Sequence, residues 1–131
     1  MEANNTQPSI ISAGQAVYEV LAAAIGHKVT KIFPVVTDEA VLPYVCYHRE
    51  GLDITPNKAR HSADTAIIQV DCYAATYGQS VELAESVRQA LDWCSITTGA
   101  GLVIRSCHLT DAKEDWQDDA YLQTLTFRLS L

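Results

Sequence analysis

Positive charge is scarce in this 131-residue chain, with nine lysines and arginines against sixteen aspartates and glutamates and a formal net charge of −7. Proteins that grip free DNA or RNA draw most of their affinity from counterion release at a basic surface, so tight nucleic-acid binding is disfavoured. Attraction to an anionic membrane surface is disfavoured on the same ground. Long apolar runs are missing as well. The longest, around residues 22–25, falls far short of the roughly 20 residues a bilayer span needs. Residues 1–9 are polar and carry no cationic stretch leading into an apolar one, so no secretory signal is expected.

The sequence also has few of the patterns that mark chemistry. Its four cysteines, Cys46, Cys72, Cys94 and Cys107, form no C-x-x-C, and no histidine stands at a metal-ligand spacing from them. Three fall in expected strands, where a reduced thiol acts as a small apolar side chain. Such thiols suit a reducing compartment. The histidines His27, His48, His61 and His108 are scattered and belong to no H-E-x-x-H pattern. The glycines Gly78, Gly99 and Gly101 make no phosphate-binding loop. No catalytic residue, cofactor or metal ligand set is expected, and the chain reads as a non-enzyme. A small enzyme without a familiar motif would need a concave pocket with His48 or His108 beside a carboxylate.

A hydrophobic fraction of 48% with a charged fraction of 19% supports a real core in one domain spanning residues 1–131. Residues 1–8 read as a flexible N-terminal segment. Helix periodicity runs from about Gln7 or Pro8 to Ile25 through Ile10, Ile11, Val17, Val20, Leu21 and Ala24. Pro8 suits a first turn, Ser12 and Gln15 offer a later start by capping-box spacing, and Gly26 is a stop. Strands are expected over residues 29–33 and 44–49, followed by a long connection over residues 51–64 that has no periodicity. Residues 65–74 alternate most clearly, with Ile68, Val70, Cys72 and Ala74 on one side. Thr76 and Gln79 then open a second helix that runs to about Trp93, and a turn covers residues 95–101. Strands over residues 102–110 and 121–131 flank an acidic loop over residues 111–119. The expected fold is α+β: a mostly antiparallel sheet of about five strands with two helices on one face, in the order α-β-β-β-α-β-β.

Two places are candidates for contact. Arg49, Lys58, Arg60 and His61 supply the one local basic cluster, which can meet an acidic neighbour or simply be solvated. Trp116 sits amid Asp111, Glu114, Asp115, Asp118 and Asp119. An aromatic at a loop tip is an interface anchor or a lid over the sheet edge. The acidic residues lack the spacing, central glycine and terminal glutamate of an EF-hand, so a solvated hairpin loop is favoured over a cation site.

Several stretches in order resemble the phage tail-completion family, the small tail-terminator or tail-to-head joining proteins. These are Ala16-Val17-Tyr18-Glu19-Val20-Leu21 with Ile32-Phe33-Pro34; Leu42-Pro43-Tyr44-Val45-Cys46-Tyr47-His48-Arg49; Gln69-Val70-Asp71-Cys72-Tyr73-Ala74 with Thr76-Tyr77; residues 84–92; and the L-x-F-x-L of the last strand. Residues 95–101 and 111–119 match nothing in the family pattern. The resemblance implies a subunit that forms a ring, often a hexamer, on the tail tube and meets the head-side connector. It implies no catalytic residues. It places the protein in the bacterial host cytoplasm during assembly and then in the virion tail. Six copies at −7 each would carry −42, and if part of that charge lines the channel, DNA would be repelled from the wall and pass without sticking. The alternative is a non-enzymatic adaptor that uses an exposed sheet edge and the 51–64 loop.

Overall fold

The computed structural model describes residues 9–35, 41–54 and 64–131. Two helices, α1 (Ala13–Ile25) and α2 (Tyr77–Leu91), accompany six strands: β1 (Ile32–Pro34), β2 (Tyr44–Asp53), β3 (Thr65–Ala74), β4 (Cys94–Thr97), β5 (Val103–Gln117) and β6 (Ala120–Ser130). The strands form one sheet in the order β1-β2-β3-β6-β5-β4. Every neighbouring pair is antiparallel except β1–β2, which is parallel. The sheet is therefore mixed, with six strands rather than about five.

The extra strand is β4, which replaces part of the expected 95–101 turn. Four residues are too few to display an alternation, but Ile96 is buried and Cys94 lies opposite Cys107 on β5. The expected acidic loop over residues 111–119 is also corrected. It is mostly strand, because β5 and β6 stay in register from Asp111↔Thr126 to Gln117↔Ala120. Asp118 and Asp119, at φ 51° and 61°, are left to make a two-residue turn. Positive φ at both central residues gives the backbone twist that matches a tight hairpin.

Helix α1 begins later than Gln7 or Pro8. A 3-10 turn, Ile10–Ser12, precedes it, and the Ser9 hydroxyl accepts the Ile11 N–H at 3.3 Å. Ser12 occupies the position before the helix but makes no side-chain capping bond. Pro8, Gln7 and the rest of residues 1–8 lie outside the described residues. Gly26 is the C-cap of the helix, but in a right-handed rather than a left-handed backbone. Its φ is −55°, and a Cβ there would collide with the carbonyl oxygen of Ala22. The start of α2 follows the sequence pattern, with the Thr76 hydroxyl accepting the Gln79 N–H at 3.2 Å. That helix stops at Leu91, and Trp93 lies beyond it with φ 62°.

Both helices lie on one side of the sheet, α1 over β2 and β1, α2 over β6 and β3, and they touch each other. Their buried faces, Ala13, Ala16, Val17, Leu21 and Ile25 from α1 and Leu83, Val87 and Leu91 from α2, join a single apolar core. The sheet supplies Val45, Ile68, Val70, Leu125, Phe127 and Leu129 at alternate positions, as the period of two requires. β3 was expected over residues 65–74 and spans Thr65–Ala74, with Ile68, Val70, Cys72 and Ala74 fully buried. Among the described residues, no helix is long and apolar enough to cross a membrane.

Candidate interaction surface

The strand alternation that buries one face leaves the other polar. Tyr44, Cys46 and His48 of β2 lie opposite Tyr73, Asp71 and Gln69 of β3. The Asp71 carboxylate accepts Gln69 Nε2 at 3.1 Å and Thr124 Oγ1 at 2.9 Å, tying β3 to β6. Burial, followed by the Asp71 carboxylate, pushes the Cys46 thiol up to about 11 and the Tyr73 hydroxyl up to about 12. A thiol held so far from ionisation is a poor nucleophile. Cys72, Cys94 and Cys107 are all raised as well, in each case chiefly by burial.

Several aromatic residues gather at one end of this sheet. On the open face, Tyr73 stacks on Tyr44 with ring centres 4.7 Å apart, and Phe33 meets Tyr44 edge-on at 6.0 Å. On the helix side of the same end, Tyr121 receives Trp116 at 5.1 Å and Tyr77 at 5.9 Å, both edge-on. The Tyr77 hydroxyl donates to Glu114 Oε2 at 3.0 Å, and that bond leads the causes that raise its pKa. Gln123 Nε2 donates to the same carboxylate oxygen at 3.1 Å and to Ser80 Oγ at 3.3 Å, binding the hairpin to α2. Trp116 and Tyr77 are about half exposed, at 53% and 50%.

The hairpin that carries Trp116 is exposed along ten consecutive residues, from Thr110 to Asp119. β4 covers β5 only from Val103 to Cys107. Two outward backbone N–H groups beyond that cover meet carboxylates. Leu109 N–H donates to Asp92 Oδ1 at 2.9 Å, and Trp116 N–H donates to Asp115 Oδ1 at 2.8 Å. Burial alone would raise the Asp92 carboxyl. The Leu109 bond and Arg88 Nε at 3.1 Å outweigh it and hold that group below its ordinary value.

The sequence candidates separate in space. Arg49 lies on β2 beside a bulge, exposed, with Nη1 donating to the Ile11 carbonyl at 3.1 Å. Lys58, Arg60 and His61 lie outside the described residues. Trp116 is a strand residue rather than a loop tip, and it packs against Tyr121 instead of closing over the sheet edge. The row Arg49–Ile68–Phe127–Leu109 crosses the sheet, and Trp116 stands opposite Tyr121, six positions along β6, roughly 20 Å away at strand spacing. Arg49 and Trp116 therefore belong to no common site. His48 Nε2 lies 3.9 Å from Glu50 on an open strand, and His108 packs under the Trp93 ring at 5.5 Å. Among the described residues no three His, Cys, Asp or Glu side chains converge to hold a metal ion.

Sequence reasoning missed the aromatic end. Tyr77, Tyr121 and Tyr73 each look ordinary in their own elements, and register alone brings them together. Trp93 was missed too. It is 80% exposed and adopts a left-handed backbone that a bulky residue seldom takes.

These elements define an α+β protein built on a mixed six-stranded sheet, with two helices on one side and a long acidic hairpin. A chain in the solved virion of a native gene transfer agent particle has a similar fold, with a TM-score of 0.72 over 93% of this chain and 98% of that one, at 20% identity. A second solved structure, 10% identical, matches with a TM-score of 0.51 over 87% of this chain and 96% of that one. At these identities the likeness is one of fold. No family model matches the sequence, and no curated protein does so significantly.

Proposed function

We propose that this protein is a structural component of a phage or phage-like virion, acting by shape and contact rather than catalysis. The carrying observation is the end-to-end fold likeness to a chain of a gene transfer agent virion, 93% of one chain on 98% of the other. Within that class, the finer reading is a tail-completion subunit that forms a ring, often of six copies, closing the tail tube and meeting the head-side connector. The ordered sequence stretches that resemble that family support it, and so does a surface low in positive charge.

Electron microscopy and light scattering of the purified chain, alone at rising concentration and with isolated tail tubes, test this reading. Rings with an open centre, or caps at tube ends, are the expected result. A chain that stays monomeric at high concentration and leaves tube ends bare would remove the ring role.

A further inference from the structure

The hairpin end of the sheet combines two features that point to one kind of partner. The first is a set of three aromatic rings, Tyr77, Trp116 and Tyr121, arranged edge to face with two of them half exposed. Rings with this much open surface, held in place by Glu114 and Gln123, resemble the anchors that dominate binding energy at protein interfaces. The second is the charge around them. Residues 111–119 contain five carboxylates and one lysine; Glu114 lies on the face of the rings and Asp118 and Asp119 form the adjoining turn, while Asp111, Lys113 and Asp115 alternate onto the opposite face.

We propose that this aromatic and acidic end is a docking surface for another protein that presents arginine. A guanidinium stacks its flat face on indole or phenol and directs its N–H groups to carboxylates, so it satisfies both features at once. Lysine meets the charge but stacks less well. A second copy of this chain, at a net charge of −7, is on balance repelled by an acidic surface. Apart from Arg105, every described lysine and arginine already meets an internal partner, as Arg88 does with Asp92 and Arg128 with Asp53. The inference goes beyond the virion reading, because it assigns the surface and the chemistry of what it meets.

The test uses the full chain and three short peptides, alternating glycine with arginine, lysine or glutamate, followed by backbone NMR shifts up to millimolar peptide. The arginine peptide should give saturable shifts centred on residues 114–121, weaker ones with lysine and none with glutamate. Trp116→Ala should weaken arginine binding by about tenfold, as expected for a hot-spot aromatic. Asp118→Asn with Asp119→Asn should weaken it as well, since asparagine tolerates the same left-handed turn while removing two charges. Circular dichroism should report both variants folded. Shifts elsewhere, equal binding of the glutamate peptide, no saturable binding, or undiminished binding by both variants would each overturn the proposal. So would loss of self-association in Trp116→Ala, which would make a second copy the occupant. Ring formation by the unmodified chain is read separately, so either conclusion can fail alone.

Discussion

Replacing Phe127 with alanine is expected to cost about 4 kcal/mol, in the range for emptying a large aromatic site in a packed core. Phe127 is fully buried and sits at the middle of the sheet, opposite Ile68 on β3 and Leu109 on β5. Both helices and both neighbouring strands contribute to the one core that surrounds it. Because domains of this size are stable by only about 5–15 kcal/mol, the loss takes a large share of the total. Urea titration should show the midpoint fall with little change in slope. Phe127→Leu should lose much less, because it refills most of the volume. The adjacent Arg128 points outward to Asp53 at 2.9 Å between exposed side chains, so Arg128→Ala should stay within about 0.5 kcal/mol. If Phe127→Ala and Arg128→Ala cost the same, the core is not packed as described.

Raising the pH is expected to produce the second large effect. Burial lifts Cys46 from an ordinary 9.0 to about 11, and Tyr73 from 10.0 to about 12. Cys72 and Cys107 also move upward, for the same leading reason. These groups are neutral when protonated, and the unfolded chain ionises them more readily than the folded one. Their contribution is therefore complete below the unfolded thiol value of 9.0 and is lost as pH rises through the folded values. Stability should be flat from neutral pH to about 8, then fall from about pH 9 to about 12. In the folded chain at pH 8, the thiolate fraction of Cys46 should be about a hundredfold below that of a free thiol. Labelling with a thiol-reactive disulfide should thus be slow until urea is added. Rapid reaction of all four thiols in the folded protein would contradict the burial described.

How much of this was legible in the sequence depends on how each element announces itself. β3 was fully readable because five buried residues, from Ala66 to Ala74, alternate with half-buried ones. The start of α2 was readable because Thr76 and Gln79 carry the capping chemistry in their own side chains. The arm formed by β5 and β6 was not, since residues 110–119 are exposed on both faces and show no apolar alternation. Its turn also lacks glycine or asparagine, the usual markers of a tight hairpin, and uses two aspartates instead. β4 was hidden by its length, and the β1–β2 parallel pairing had no local signature at all. Trp116 was singled out for the right property, exposure, but placed in the wrong kind of segment. Tyr77 and Tyr121 escaped because their meeting depends on register between elements far apart in the chain.

The two carboxylates on the outer side of β5 have a consequence for the protein before it meets any partner. Among the described residues, positions 109–117 of that strand have no neighbour on their outer side, which is the kind of border along which sheets of separate molecules fuse. Asp92 and Asp115 occupy the N–H groups of Leu109 and Trp116, and the bulge after Leu109 breaks the regular spacing that an incoming strand would need. Carboxylates all along the arm add mutual repulsion between copies. A chain protected in this way can accumulate to high concentration without fibrous aggregation, even though much of its longest strand lies bare on one side.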